Sequence, residues 1–327
     1  MVLVSLALLI ISIFVIYKSS EWVIKYSIDL SRLLGVSTLV IGFILVAIST
    51  SLPELFVTVF AAAEHDTNLA IGNILGSNLF NLNVIIGLAT IMIGTIHMKR
   101  KETLHLIELL FITSVITIVI FSLPSLNALH GLVLLLLFGY TIMKLYKGGK
   151  VEQEVLKEEL PILPKQKGRL NHRRKLSLAF LRFLISISLL LLATKVLVDA
   201  SLDIAGILGF TSAFVGATLV AGGTSLPELA VTFAAVKKKH YALAIGDLVG
   251  SAVTNITLVL GILSIISPSP LDAASFVGML PLMIVSIMLL WFVFSQKRKV
   301  TRFEGTILLI IYLVFMIEQL GLVTIFG

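Results

Sequence analysis

Two five-residue stretches carry the chemistry of this sequence. Thr50–Glu54 reads TSLPE, and Thr224–Glu228 reads TSLPE again, each inside an apolar run. Proline has no N–H and crowds the carbonyl four residues back, at Ser49 for Pro53, so a helix must bend or open beside each glutamate. Such breaks are tolerated in a bilayer only where they line protein or a hydrated cavity. Thr50 and Glu54 stand four apart, which puts hydroxyl and carboxylate on one helix face, and Thr224 and Glu228 repeat the arrangement. A carboxylate at mid-bilayer costs about 2.5–3.5 kcal/mol even on the lenient insertion scale. A symmetric pair must therefore hold a proton or share a cation. The sequence has no cysteine, and its histidines fall at helix ends or loops. Hydroxyls, amides, freed carbonyls and carboxylates are oxygen ligands, suited to hard cations such as Ca²⁺ or Na⁺. The alternative is a protonated glutamate bonded to a neighbouring helix.

A second pair of stretches follows the first. LAIGNILGSNLFN (Leu69–Asn81) spaces Asn73, Ser77 and Asn81 four apart as a polar stripe, and LAIGDLVGSAVTN (Leu243–Asn255) gives Asp247, Ser251 and Asn255. Gly72 and Gly76 would permit close backbone approach. Taken alone, such stripes read as ordinary interhelical hydrogen bonding; their place on the same repeats as the glutamates makes them candidate ion ligands.

The elements that must position these groups are membrane helices. The chain has 327 residues, 58% hydrophobic and 13% charged, about half the charge of a soluble domain. Apolar runs long enough to span a bilayer lie at about 2–34, 37–63, 68–95, 103–122, 126–147, 176–207, 211–236, 241–268, 271–295 and 302–325. The alternating strands of a membrane barrel are missing. The first run lacks a basic n-region and a cleavage site and reads as a mature helix. The expected fold is an all-α polytopic membrane protein of ten transmembrane helices.

The net charge of +7 does not point to nucleic acid, because the basic residues cluster between runs. Arg32, Lys99-Arg100-Lys101, the Lys144–Lys175 segment, Lys237-Lys238-Lys239 and Lys297-Arg298-Lys299 all fall in loops of one parity. The other loops, AEHDTN, SLPSLN, AGILGFTS and SPSPLDA, contain no Lys or Arg. The positive-inside rule then puts both termini outside.

The two motif pairs share one offset of 174 residues. Each half holds five runs, and an odd number makes the second half enter from the opposite side, an inverted-topology repeat typical of secondary transporters. The expected organisation is an N-terminal repeat at 1–147 (motif region about 37–87), a cytoplasmic linker at 148–175, and a C-terminal repeat at 176–327 (motif region about 211–261). A separate polar stripe, Lys18, Glu21, Lys25, Asp29 and Arg32, runs along the first helix, and Lys195, Asp199 and Asp203 match part of it in the sixth. It reads either as snorkelling and pairing near the membrane surface or as a set of exchangeable partners for a sliding helix.

The pair TSLPE…GNxxGSxxxN and TSLPE…GDxxGSxxxN resembles the two repeats of the cation/Ca²⁺ exchangers, closest to the prokaryotic Na⁺/Ca²⁺ exchanger branch, and the likeness covers the whole chain. The resemblance implies a transporter, not an enzyme, which exchanges Ca²⁺ for Na⁺ across the cell (inner) membrane by alternating access, the first and sixth helices sliding across the others. It implies Glu54 and Glu228 as carboxylates shared by both ions. Thr50, Thr224, Ala47 and Ala221 match positions lending carbonyls and hydroxyls. Ser51, Ser77, Ser225 and Ser251 match flanking Na⁺ ligands, and Asn81 a midpoint amide. Asn255 stands where prokaryotic relatives often have Asp, although animal exchangers carry Asn in both repeats. Asp247 replaces the usual asparagine, which Asn73 retains, and faces either the ion path or a wet vestibule. The long regulatory loop of animal exchangers is missing. Expected ligands are the transported Ca²⁺ and Na⁺, with no cofactor and no obligate protein partner.

Three rivals follow. Paired carboxylates can carry protons, so H⁺ or another divalent is the nearest alternative; TSLPE favours Na⁺, since the proton-coupled branch resembles GNAxE. An intramembrane hydrolase with Ser51 or Ser225 as nucleophile needs a base within reach, and no histidine lies near either. A passive channel would conduct without a counter-ion.

Overall fold

The computed structural model describes residues 2–65, 67–97, 100–156, 169–207, 221–270 and 279–319. They are mostly helical. α1 (Val2–Leu34) ends on Gly35, whose φ of 65° lets the Val36 N–H reach back to the Ser31 carbonyl. Ser37 then caps α2 (Thr38–Ile41) by accepting from the Val40 N–H at 3.3 Å. A π-helical segment, Gly42–Ala47, and α3 (Ile48–Thr50) continue to the first proline motif. After the break come α4 (Leu52–Ala63), α5 (Thr67–Leu79), a π-helical segment Phe80–Ile85, and α6 (Ile86–Met92). α7 (Arg100–Phe121), α8 (Ala128–Leu156) and α9 (Arg169–Ile207) lead to the second motif, between α10 (Ala221–Thr224) and α11 (Leu226–Lys237). α12 (Tyr241–Thr254), a π-helical segment Asn255–Val259, α13 (Leu260–Ile266), α14 (Met279–Gln296) and α15 (Arg302–Gln319) complete the chain.

Six helical runs among the described residues are long and apolar enough to cross a membrane: Thr38–Ala63, Thr67–Met92, Ala128–Tyr146, His172–Val196, Tyr241–Ile266 and Met279–Gln296. Those carrying the GNILGSNLFN and GDLVGSAVTN stretches are the most buried, at 78% each, so their polar stripes face protein rather than lipid.

The chain forms two packing units, both discontinuous. One comprises residues 1–50 and 141–247, the other 51–140 and 248–327. In the first, α1 lies along α9 and against α11. Glu21 pairs with Lys18 at 3.6 Å and with Lys238 at 3.2 Å, and Lys25 and Arg182 both lie over the Tyr26 ring. In the second, α4 packs on α5, α15 on α6, and α14 on α7. Two strand pairs tie its loops: β1 (Ile96–His97) with β4 (Lys299–Val300), and β2 (Ser125–Leu126) with β3 (Ser269–Pro270), both antiparallel. Each pair joins loops that the charge pattern puts on one side of the membrane.

Local structure recurs at the 174-residue offset. Ser51 (φ −81°, ψ 7°) and Ser225 (φ −93°, ψ 8°) break their helices alike. His65 and Lys239, the same distance apart, take left-handed φ of 60° and 62°. A Cβ on Gly87 would meet the Gly305 carbonyl at 2.8 Å, and one on Gly131 the Gly261 carbonyl at 2.5 Å; adding 174 to 87 and 131 gives 261 and 305, so each contact is the other's copy.

Candidate functional site

The first motif opens its helix as the proline requires. α3 stops at Thr50, Ser51 adopts a non-helical conformation, and α4 restarts with Pro53 in its first positions and Glu54 in its first turn. Thr50 and Glu54 therefore do not share a face of one helix, as their spacing suggested; the break puts one at a helix C-terminus and the other at an N-terminus. A C-terminus carries partial negative charge and unpaired carbonyls, which favour a cation, while the N-terminus favours the carboxylate. Glu228 occupies the same place in α11. Both glutamates are fully buried.

In the first unit a polar cluster forms around Asp247, which is fully buried. Its Oδ1 accepts from the Thr50 hydroxyl at 3.2 Å, its Oδ2 accepts from Thr232 at 3.4 Å, and Glu228 is near enough to interact with it electrostatically. The Thr50 hydroxyl also lies 3.1 Å from the Val46 carbonyl and 3.2 Å from that of Ala47. Its single proton serves one of these three acceptors at a time. The backbones make this possible: a Cβ on Gly246 would sit 2.6 Å from the Leu39 carbonyl, and one on Gly42 would sit 2.7 Å from that of Leu243. Asp247 thus joins the Thr50 and Glu228 motif residues in one buried cluster. Thr224 is half-buried and Ser225 buried. Ala47 is buried in the π-helical segment, and Ala221 opens α10.

In the second unit Asn73 donates to the Glu54 backbone carbonyl at 3.3 Å. Ser51, Ser77, Asn81, Ser251 and Asn255 are all buried. Asn81 and Asn255 fall in π-helical segments. Among the described residues, Ser51 Oγ and both polar atoms of Asn81 have no hydrogen-bond partner. A Cβ on Gly72 or Gly76 meets no described atom within 4 Å; the expected close approach occurs instead at Gly246, the copy of Gly72. Among the described residues no three His, Asp or Glu side chains converge as a metal-binding group. The oxygens gathered at these motifs are of hydroxyl, amide, carbonyl and carboxylate type.

Three contributors were not singled out from the sequence. Thr232 sits inside the repeated LPELxVT stretch, but only its bond to Asp247 gives it a role. Asn78 bonds both the Ala252 backbone and Asn255. Asn83 accepts from Ser286 at 2.8 Å, a pairing that joins positions 203 apart and leaves no local signal.

A sequence model described as "sodium/calcium exchanger protein" matches residues 4–146 and 178–321. The chain belongs to the sodium/calcium exchanger family. This exchanger is 30% identical to an uncharacterized membrane protein of Methanocaldococcus jannaschii over 96% of its own length and 97% of the relative's. It is 29% identical to the sodium/calcium exchanger MaX1 of Methanosarcina acetivorans over 97% and 99%, and 30% identical to the inner membrane protein YrbG of Escherichia coli over 84% and 83%. Among solved structures, the sodium-calcium exchanger NCX_Mj soaked with Na⁺ and no Ca²⁺ superposes with a TM-score of 0.82 at 26% identity, covering 97% of this chain and 99% of that one. The exchanger is accordingly a multi-pass membrane transporter of the cation/Ca²⁺ class and not an enzyme, which removes the hydrolase reading.

Proposed function

We propose that this exchanger moves Ca²⁺ against Na⁺ by alternating access, in ten membrane crossings arranged as two inverted repeats of five with both termini outside. Transported Ca²⁺ or Na⁺ is held by Glu54 and Glu228, helped by Thr50, Thr224, Ser51, Ser225, Ser77, Ser251, Asn81, Asn255 and the carbonyls of Ala47 and Ala221. Asp247 adds a third carboxylate, and Asn73 braces the Glu54 backbone. One set of oxygens serving both ions makes their occupancy mutually exclusive, and exclusive occupancy gives exchange rather than leak.

The observation that carries this reading is the complete burial of Glu54, Glu228 and Asp247 at helix interruptions and in the most buried runs of a membrane transporter. Uncompensated carboxylates are too costly there, and a cargo cation compensates them. Two similar proteins support the choice of ions: MaX1 is called a sodium/calcium exchanger, and NCX_Mj was soaked in Na⁺ and Ca²⁺.

Purified protein in liposomes loaded with Na⁺ is expected to take up Ca²⁺ when diluted into Na⁺-free medium, and to stop when Glu54→Gln or Glu228→Gln is introduced. Uptake driven equally by an H⁺ gradient with Na⁺ absent would reassign the coupling ion. Undiminished uptake in both glutamine variants would refute the ligand assignment.

A further inference from the structure

A buried asparagine offers either an oxygen or an NH₂ group to its surroundings, and the two differ by a half-turn of the amide. As a cation ligand it serves only in one setting. The second unit contains a device that fixes this choice for one asparagine and not for its copy.

The device is a two-bond relay. Asn78 Nδ2 donates to the Ala252 backbone carbonyl at 3.2 Å, and Asn255 Nδ2 donates to Asn78 Oδ1 at 3.2 Å. All three residues are fully buried. A carbonyl can only accept, so Asn78 must turn its NH₂ toward Ala252 and its oxygen toward Asn255. Asn255 must then turn its NH₂ toward Asn78. Its Oδ1 is left on the opposite side, buried and without a hydrogen-bond partner among the described residues. Asn255 opens a π-helical segment that packs against α4, the helix with Glu54 in its first turn.

The copy of this arrangement is missing. Asn78 and Ala252 stand 174 apart, as do Asn81 and Asn255, so the equivalent relay would run from Ala252 to Asn81. Alanine has no amide to give. Asn81 accordingly has both its amide atoms unpartnered among the described residues, and nothing there selects its orientation.

We propose that Asn78 is a positioning residue which locks the Asn255 amide with its oxygen presented to the transported cation, while Asn81 turns freely between oxygen-in and NH₂-in settings. The inference rests on the exchange reading above and deepens it. Asn255 supplies a permanent oxygen. Asn81 supplies one when a cation is bound and offers its NH₂ to a neighbouring acceptor when none is.

The test uses the full-length protein in detergent and in liposomes. Asn78→Ala should weaken the apparent Ca²⁺ affinity in Na⁺-driven uptake by about 10- to 100-fold, as removal of an outer-shell partner does. A carboxylate has two equivalent oxygens and needs no orienting. In the Asn255→Asp background, therefore, Asn78→Ala should change the affinity less than about threefold. An equal loss in both backgrounds would mean that Asn78 only packs, and would overturn the lock. So would unchanged affinity in the single variant. Melting curves recorded without Ca²⁺ or Na⁺ should show positions 78 and 255 coupled, a readout independent of transport. If the unsubstituted protein carries no Na⁺-dependent Ca²⁺ flux, the exchange reading fails, while absent coupling in the ion-free melts still sinks the relay separately.

Discussion

Within the two repeated motifs, Asp247 is the residue at which the charge differs. Its copy, Asn73, spends its NH₂ group on the Glu54 backbone, whereas Asp247 gathers the hydroxyls of Thr50 and Thr232 and lies beside Glu228. Two buried carboxylates in electrostatic contact repel each other and gain most when a divalent cation joins them. Asp247→Asn keeps an acceptor oxygen for one threonine, turns an NH₂ group to the hydroxyl oxygen of the other, and installs the residue the other repeat already has, so the fold should survive. The Ca²⁺ concentration giving half-maximal uptake should rise about tenfold, a change of about 1.4 kcal/mol, with a smaller change for Na⁺. Equal Ca²⁺ dependence in the variant and the parent would make Asp247 a structural residue. The sequence exposed Asp247 as an oddity because the repeat supplied its own reference. Its role stayed open because Thr50 and Thr232 lie 197 and 15 residues away, and only folding brings them to it.

At the scale of elements, the interrupted helices were legible and the π-helical segments were not. Pro53 and Pro227 announce their breaks by steric necessity. Nothing in FNLNVI or NITLV announces a wider turn, because one extra residue per turn alters no composition and barely disturbs apolar periodicity. Helix crossings were readable in part: glycines signalled close approach, but the spacing could not say which would meet a neighbour. Gly246 does, so Gly246→Ala must push its Cβ against the Leu39 carbonyl and displace the helix that carries Asp247. A loss of about 1–3 kcal/mol, seen as a lower melting temperature, is expected from such overpacking, together with weaker Ca²⁺ uptake. Gly139→Ala, with no described atom of another element within 4 Å of the new methyl group, should leave both unchanged or slightly improved. An equal melting temperature for Gly246→Ala and the parent would show that the α2–α12 contact yields easily. The turn between α11 and α12 carries a pH effect. Burial, then the charges of Lys238 and Arg32, hold His240 below its ordinary value of 6.5. The unfolded chain then binds the proton more readily than the folded one, so stability falls as pH drops below about 6.5. His240→Gln should flatten that part of the melting-temperature profile, and an unchanged slope would assign it elsewhere.

For the molecule as a whole, the 174-residue repeat and the side-alternating charges are complementary statements about one chain in one bilayer. The copied glycine contacts recur at the same offset that the motifs do, so the repeat extends from residue types to packing. The packing units do not follow the 174-residue offset, because each draws helices from both halves of the chain; contacts record which helices bury one another. The absence of cysteine gives a clean background for checking sidedness, since a single cysteine placed at 148–175 should react with an impermeant reagent from the inside only. A shared site would have a thermodynamic consequence beyond transport. An ion that binds only the folded protein stabilises it, by about 2.7 kcal/mol when its free concentration is 100 times its Kd. If Ca²⁺ and Na⁺ use one set of oxygens, their effects cannot add. Na⁺ introduced at saturating Ca²⁺ should add almost nothing to the melting temperature, and the Ca²⁺ dependence should shift to higher concentration as Na⁺ rises. The Glu54→Gln variant should lose the Ca²⁺-induced rise while melting normally without ions. Additive shifts from the two ions would mean separate sites, and would leave exchange without its physical basis in this chain.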